Sequence, residues 1–184
     1  DQKQHLELCR DIAQKFNSDF EAENFLQVPE PLIQKDFSRI MSLKDGSRKM
    51  SKSELSDLSR INLTDNKDMV INKIKKAKTD PLPMPSNLRD LEVRPEAKNL
   101  LGIYSSLTNS SLEKSIEMFA GKNFSEFKEK LSEVLVDRIQ PISEEIKKLL
   151  NDKLYLDNIL LEGVERANII ASKKIKKIKE IVGF

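Results

Sequence analysis

Apolar residues Leu6, Cys9, Ile12, Ala13 and Phe16 recur at spacings of three and four, the period of one helix face, and predict a helix over about 2–17. Pro29 and Pro31 then interrupt regular structure. The short apolar run Arg39-Ile40-Met41-Ser42-Leu43 ends at the turn dipeptide Asp45-Gly46 and reads as a strand. Residues 44–64 carry lysine, serine, glycine and asparagine with few large apolar groups, which predicts an exposed, mobile loop. Asp65 is placed to cap the next helix, Asp68 suits its positive end, and Met69, Val70, Ile71, Ile74 and Ala77 supply its apolar side as far as Lys78. Pro81, Pro83 and Pro85 predict a linker over about 79–93. Pro95 then opens a helix with the stripe Ala97, Leu100, Leu101, Tyr104 and Leu107. Ser110 with Glu113 and Asn123 with Glu126 have capping-box spacing, so helices are expected to begin near 111 and 124. The second of these carries Phe127, Leu131, Val134, Leu135 and Ile139, and Pro141 is expected to kink it or divide it from Ile142, Ile146 and Leu149. A last helix covers about 153–181.

From Asp65 onward no convincing alternating strand occurs, so that region is expected to be an all-α bundle of five or six helices. The preceding residues hold one helix and one short strand, too little for an independent core, and look like the edge of another domain. With 38% hydrophobic and 34% charged residues and five glycines, the 184-residue composition fits a soluble helical protein rather than a disordered one. A net charge of +2 announces no polyanion partner, so any nucleic-acid surface must be local. The one local candidate is Lys173-Lys174-Ile175-Lys176-Lys177-Ile178-Lys179, which reads first as a solvated helix face and second as a phosphate contact. Cys9, the single cysteine, can form neither an internal disulfide nor a zinc site, and no signal peptide or apolar span is present; both point to a reducing, cytosol-like compartment. His5, the sole histidine, has no nucleophile motif beside it and reads as a helix-face residue. Because Asp1-Gln2-Lys3-Gln4-His5 enters helical sequence at once and without methionine, the numbering is expected to start inside a larger gene product.

Candidate chemistry concentrates at Lys49-Met50-Ser51-Lys52-Ser53. Two lysines three positions apart, flanked by serines and preceded by a glycine turn, can direct ammonium groups and hydroxyls at one anion. As spacing alone this also fits a solvated basic loop. The string itself, however, is the second signature of class I aminoacyl-tRNA synthetases, and the chain resembles the tryptophanyl branch of that family nearly throughout. Upstream, Asp1-Gln2-Lys3-Gln4-His5-Leu6-Glu7-Leu8 is similar to the opening of that family's last catalytic-domain helix, and Arg39 to Leu43 to the strand before its lysine loop. Downstream, Arg94-Pro95-Glu96-Ala97-Lys98-Asn99-Leu100-Leu101-Gly102-Ile103-Tyr104 and Gly163-Val164-Glu165-Arg166-Ala167-Asn168 resemble its helical half. The tyrosyl branch differs where Met50 and Ser51 stand, and the second lysine points to the bacterial or organellar branch. Two positions depart from the family pattern: Glu54-Leu55 replaces Asp-Pro, and Gly46 replaces proline. Both are expected to loosen the loop, with Gly46 raising the ordering cost of closure.

The resemblance implies a mainly α chain with two parts. Residues 1–64 would be the carboxy-terminal remnant of a Rossmann-type catalytic domain. Residues 65–184 would be a helical anticodon-binding domain, its last helix packing back on the catalytic domain. It implies a tryptophan-tRNA ligase that uses ATP with Mg2+, L-tryptophan and tRNA(Trp), works as a homodimer away from membranes, and resides in the cytoplasm or an organellar matrix. Lys49 and Lys52 would be catalytic. Asp1, Ile40, Lys49, Met50, Ser51, Lys52 and Ser53 would hold ATP, and Gln2 the tryptophan amino group. No first class I signature and no indole pocket occur in these 184 residues, so the piece alone is expected to be inactive. The rival reading is a non-catalytic helical tRNA-binding module or pseudo-synthetase.

Overall fold

The computed structural model describes residues 3–33 and 38–184. Six α-helices follow one another: α1 (Lys3–Asp19), α2 (Lys67–Lys75), α3 (Pro95–Thr108), α4 (Leu112–Phe119), α5 (Phe124–Asn151) and α6 (Lys153–Val182). Short 3-10 turns stand at Asp57–Ser59 and Arg89–Val93. Five α-helices therefore follow Asp65, as the periodicity predicts. The chain condenses into two compact units, Asp1–Gln34 with Asp152–Phe184, and Lys35–Asn151.

In the first unit, Phe16 packs its ring at 4.9 Å from Phe20 and 5.9 Å from Phe25. Asn17 closes the loop after α1 by exchanging two hydrogen bonds with the Leu26 backbone, at 2.8 and 2.9 Å. Lys174 of α6 lies 3.8 Å from the centre of the Phe25 ring and donates to the Phe25 carbonyl. An ammonium over an aromatic face at a partly exposed site is an attractive contact of roughly 1 kcal/mol. No residue of α6 is buried, so its isoleucines, leucines and the lysines at 173, 176, 177 and 179 all reach the surface.

The second unit has the larger core. Val70 and Ile74 of α2, Leu100 and Leu101 of α3, Phe119 of α4, and Phe127 and Leu131 of α5 are essentially sealed from solvent. Each such side chain contributes about 1.5–3 kcal/mol of burial. Tyr104, Phe119 and Phe127 pack as a triad, two of whose ring pairs are edge-on at 5.0 and 4.8 Å. Lys128 of α5 caps α2 from the side, its Nζ donating to the carbonyls of Lys75 at 3.2 Å and Ala77 at 2.6 Å. Burial pushes its ammonium pKa down.

Three local expectations are corrected, and the one at Pro141, a kink or a division, is narrowed to exclude division. Asn66 caps α2 by accepting from the Met69 amide at 2.9 Å, whereas Asp65 turns inward to Lys73. Ser111 caps α4, while the Ser110 hydroxyl bonds Thr108 and Ser115. Helix α5 runs through Pro141 undivided. The proline is exposed, and the carbonyl it deprives of a donor belongs to the equally exposed Asp137, where water can substitute. Lastly, the run before the lysine loop forms a single antiparallel bridge, Met41 with Lys49, and no named strand occurs among the described residues.

Candidate nucleotide loop

Residues 40–50 form a minimal hairpin. Ser42 N–H donates to Arg48 O at 2.7 Å and Met50 N–H to Ile40 O at 3.0 Å, one bond on each side of the Met41–Lys49 pair. Asp45 shapes the turn by accepting from both the amide and hydroxyl of Ser47, at 3.0 and 2.6 Å. Those bonds from Ser47 hold its carboxyl below the ordinary carboxylate range. Ile40 and Met50 are half-buried against the core and root the two arms.

Beyond Met50 the chain rises into the crest. Ser51 Oγ accepts the Ser53 amide at 3.2 Å and lies 2.9 Å from Ser53 Oγ, a side-chain turn that prefolds the three residues around Lys52. Lys49, Lys52 and Ser53 are exposed, and Leu55 is fully so. The descending arm is again fastened: Arg60 donates to the Glu54 carbonyl at 2.9 Å, and Leu43 N–H to Ser59 O at 2.8 Å. Below it sits a buried cation. Lys73 Nζ lies 2.6 Å from Asp65 and 2.6 Å from Asp57, with Lys73 3% and Asp65 1% exposed. Hydrogen bonding from Lys73 holds the Asp57 carboxyl below its ordinary range. Of the predicted site residues, Ile40, Lys49, Met50, Ser51, Lys52 and Ser53 thus share one hairpin and crest. Asp1 and Gln2 lie outside the described residues.

Gly46 corrects the expectation of a loosened loop. It is buried, and a Cβ added there would stand 2.5 Å from the Glu96 amide nitrogen and 2.6 Å from the Pro95 carbonyl carbon. The first turn of α3 presses on its backbone, so glycine is required by close approach, not by a need for freedom. Gly46→Ala must displace backbone atoms and is expected to lower stability by about 1–3 kcal/mol, the cost of overpacking. Unchanged denaturant unfolding of that variant would refute the contact.

Sequence reading missed Lys73, Glu96 and Asn99. A signal was present for Asn99: a polar residue of modest helix propensity stands inside the apolar stretch of α3, where it needs a partner. The cleft of about 850 Å3 lined by Lys67, Ile71, Lys75, Phe124, Lys128 and Glu133 includes no residue of the hairpin or crest.

A lysine-serine crest on a short hairpin, rooted in a helical unit, defines the class. The profile described as tRNA synthetases class I (W and Y) matches residues 1–140, and the chain belongs to that family. The tryptophan-tRNA ligase of Caulobacter vibrioides is 50% identical over 184 residues, covering 100% of this chain and 54% of the relative. That of Rickettsia felis is 53% identical, with 100% and 55% covered. The crystal structure of tryptophanyl-tRNA synthetase from Mycoplasma pneumoniae superposes with a TM-score of 0.82 at 28% identity, covering 100% of this chain and 54% of that one. The Campylobacter jejuni enzyme complexed with ADP and tryptophan superposes at 0.68 and 26% identity, with 100% and 55% covered. The chain spans about half the length of the curated relatives it matches. No described helix is long and apolar enough to cross a membrane.

Proposed function

We propose that this chain is the part of a bacterial-type tryptophan-tRNA ligase that handles the triphosphate of ATP and engages tRNA(Trp). The observation that carries the reading is the Lys49 to Ser53 crest, prefolded on its hairpin, in a chain whose whole length aligns with such ligases. Residues 1–64 act as the edge of the catalytic domain and 65–184 as the helical domain that meets the tRNA. The reaction joins the carboxylate of L-tryptophan to the α-phosphorus of ATP, releases pyrophosphate, and then passes the acyl group to the terminal ribose of tRNA(Trp). ATP arrives as its Mg2+ complex, the ion held by phosphate oxygens.

As the bond to pyrophosphate breaks, negative charge grows on the leaving group. Ammonium groups brought there lower the barrier if they grip the transition state more tightly than bound ATP. Lys52, on the exposed crest, is the first candidate, and Lys49 the second. Ser51 and Ser53 offer hydroxyls and amides to the same phosphates, and the Ile40 backbone borders the adenine. Asp1 contacts the ribose and Gln2 the tryptophan amino group. The enzyme acts as a homodimer in the cytoplasm or an organellar matrix, and the exposed lysines at 173, 176, 177 and 179 lie along tRNA phosphates.

The test is pyrophosphate exchange into ATP by the full-length protein. Exchange that requires tryptophan is expected; tRNA binding without any exchange would instead favour the non-catalytic tRNA-binding module. In the same preparation, glutamine at Lys173, Lys176 and Lys177 is expected to weaken charging and flatten its salt dependence while leaving exchange intact. Equal charging would remove that surface from the proposal.

A further inference from the structure

We infer that Asn99 and Glu96, in the first two turns of α3, are positioning residues for the nucleotide: they hold the first arm of the hairpin that carries the lysine crest, Asn99 at Met41 and Glu96 through Lys78 at Leu43. This rests on the ligase reading above. In the Met41–Lys49 pair the flanking bonds run through residues 40, 42, 48 and 50, so the N–H and C=O of Met41 itself point away from Lys49. In an extended sheet a neighbouring strand would take both groups. Here the carboxamide of Asn99 does so, accepting from Met41 N–H at 2.9 Å and donating to Met41 O at 2.8 Å. One side chain replaces a strand because an amide carries the same donor and acceptor as a peptide unit.

The clamp is stiff. Asn99 is 8% exposed and sits between Ala97 at 0%, Leu100 at 1% and Leu101 at 0%. The opposite end of the hairpin is held by the same helix. The Glu96 carboxylate pairs with Lys78 at 2.8 Å, and the Lys78 amide donates to the Leu43 carbonyl at 2.7 Å. Bonding to Lys78 keeps the Glu96 carboxyl below its ordinary value, so this hold is complete above that value and lost as pH falls beneath it. Helix α3 is therefore the frame against which Ile40 and the crest are registered. Release of Met41 lets the ATP-facing backbone shift without touching tryptophan.

The experiment compares Asn99→Leu and Asn99→Asp with wild type in the full-length protein, titrating ATP and tryptophan separately at equilibrium. Asn99→Leu is expected to weaken ATP roughly tenfold, the size of one lost buried bonding pair, with tryptophan affinity within about twofold. Asn99→Asp distinguishes registration from plain folding. At pH 8 its carboxylate faces the Met41 carbonyl without a proton and ATP affinity falls. At pH 5.5 burial favours the protonated acid, which restores both donor and acceptor, and affinity relative to wild type recovers. Equal weakening of both ligands, or an Asn99→Asp to wild-type ratio that does not change with pH, would overturn the inference. If Asn99→Leu does not fold, the Asn99→Asp ratio alone decides. Tryptophan-dependent exchange by the wild type is scored independently, so failure of the ligase reading and failure of the clamp give different results.

Discussion

Lys52→Ala in the full-length protein slows adenylate formation by about two to three orders of magnitude, the loss found when one preorganised donor to a developing anion is removed. Tryptophan affinity is expected to change little, because in the proposed role the ammonium meets only the triphosphate. The hairpin is the reason Lys52 rather than Lys49 is expected to dominate. Lys49 is the bridge partner of Met41, so its backbone is tied to the rooted arms. Lys52 stands past the last cross-hairpin bond, on a crest held by serine-to-serine contacts that a phosphate can replace. It can follow the pyrophosphate as charge develops. A single-turnover assay of adenylate formation, with tryptophan binding measured in parallel, checks the result. A rate within a few fold of wild type would exclude Lys52 from leaving-group stabilisation.

Lys73→Ala has the larger effect on the fold. It takes the cationic partner from Asp65, a carboxylate only 1% exposed, and removes one of the hydrogen-bonding partners of Asp57, leaving Asn62 and Arg60. Breaking one side of a buried pair costs about 3–5 kcal/mol because the remaining charge is left without compensation. Denaturant unfolding should show a loss of that order. Asp65→Asn with Lys73→Met should recover most of it, since asparagine still accepts the Asn62 amide that Asp65 holds at 2.8 Å. Were the double variant as unstable as Lys73→Ala alone, the deficit would come from packing and not from the stranded charge. The Asp57 carboxyl is held low by Lys73, so its share of the network is present above its ordinary value of 3.8 and fades as the pH drops below it.

Both variants act on one structure, the crest proposed to meet the nucleotide and the base beneath it. The base was nearly invisible in the sequence. Asp65 precedes a helix and carries a capping side chain, yet its neighbour Asn66 takes the cap and Asp65 meets a lysine eight residues later. Cap position depends on where the chain enters the helix, which a one-residue shift of the preceding turn decides. Gly46 reads locally as a flexible turn residue. What demands glycine there is backbone from Pro95 and Glu96, about fifty positions away.

The helices were legible because their signals are local: apolar residues every third or fourth position, with Pro95 and the capping pairs marking starts, place the beginnings of α1 through α6 within a few residues of those observed. The pentapeptide was legible too, as the string that carries the family resemblance. The sequence by itself thereby determined the helices, the lysine-serine pentapeptide and the family. Tertiary structure alone decided what holds the crest in place: a carboxamide standing in for a strand at Met41, a helix end seated on Gly46, and a buried ammonium between two carboxylates. Those choices join residues distant in the chain, and their energies arise from burial and close approach, which no run of neighbouring residues contains.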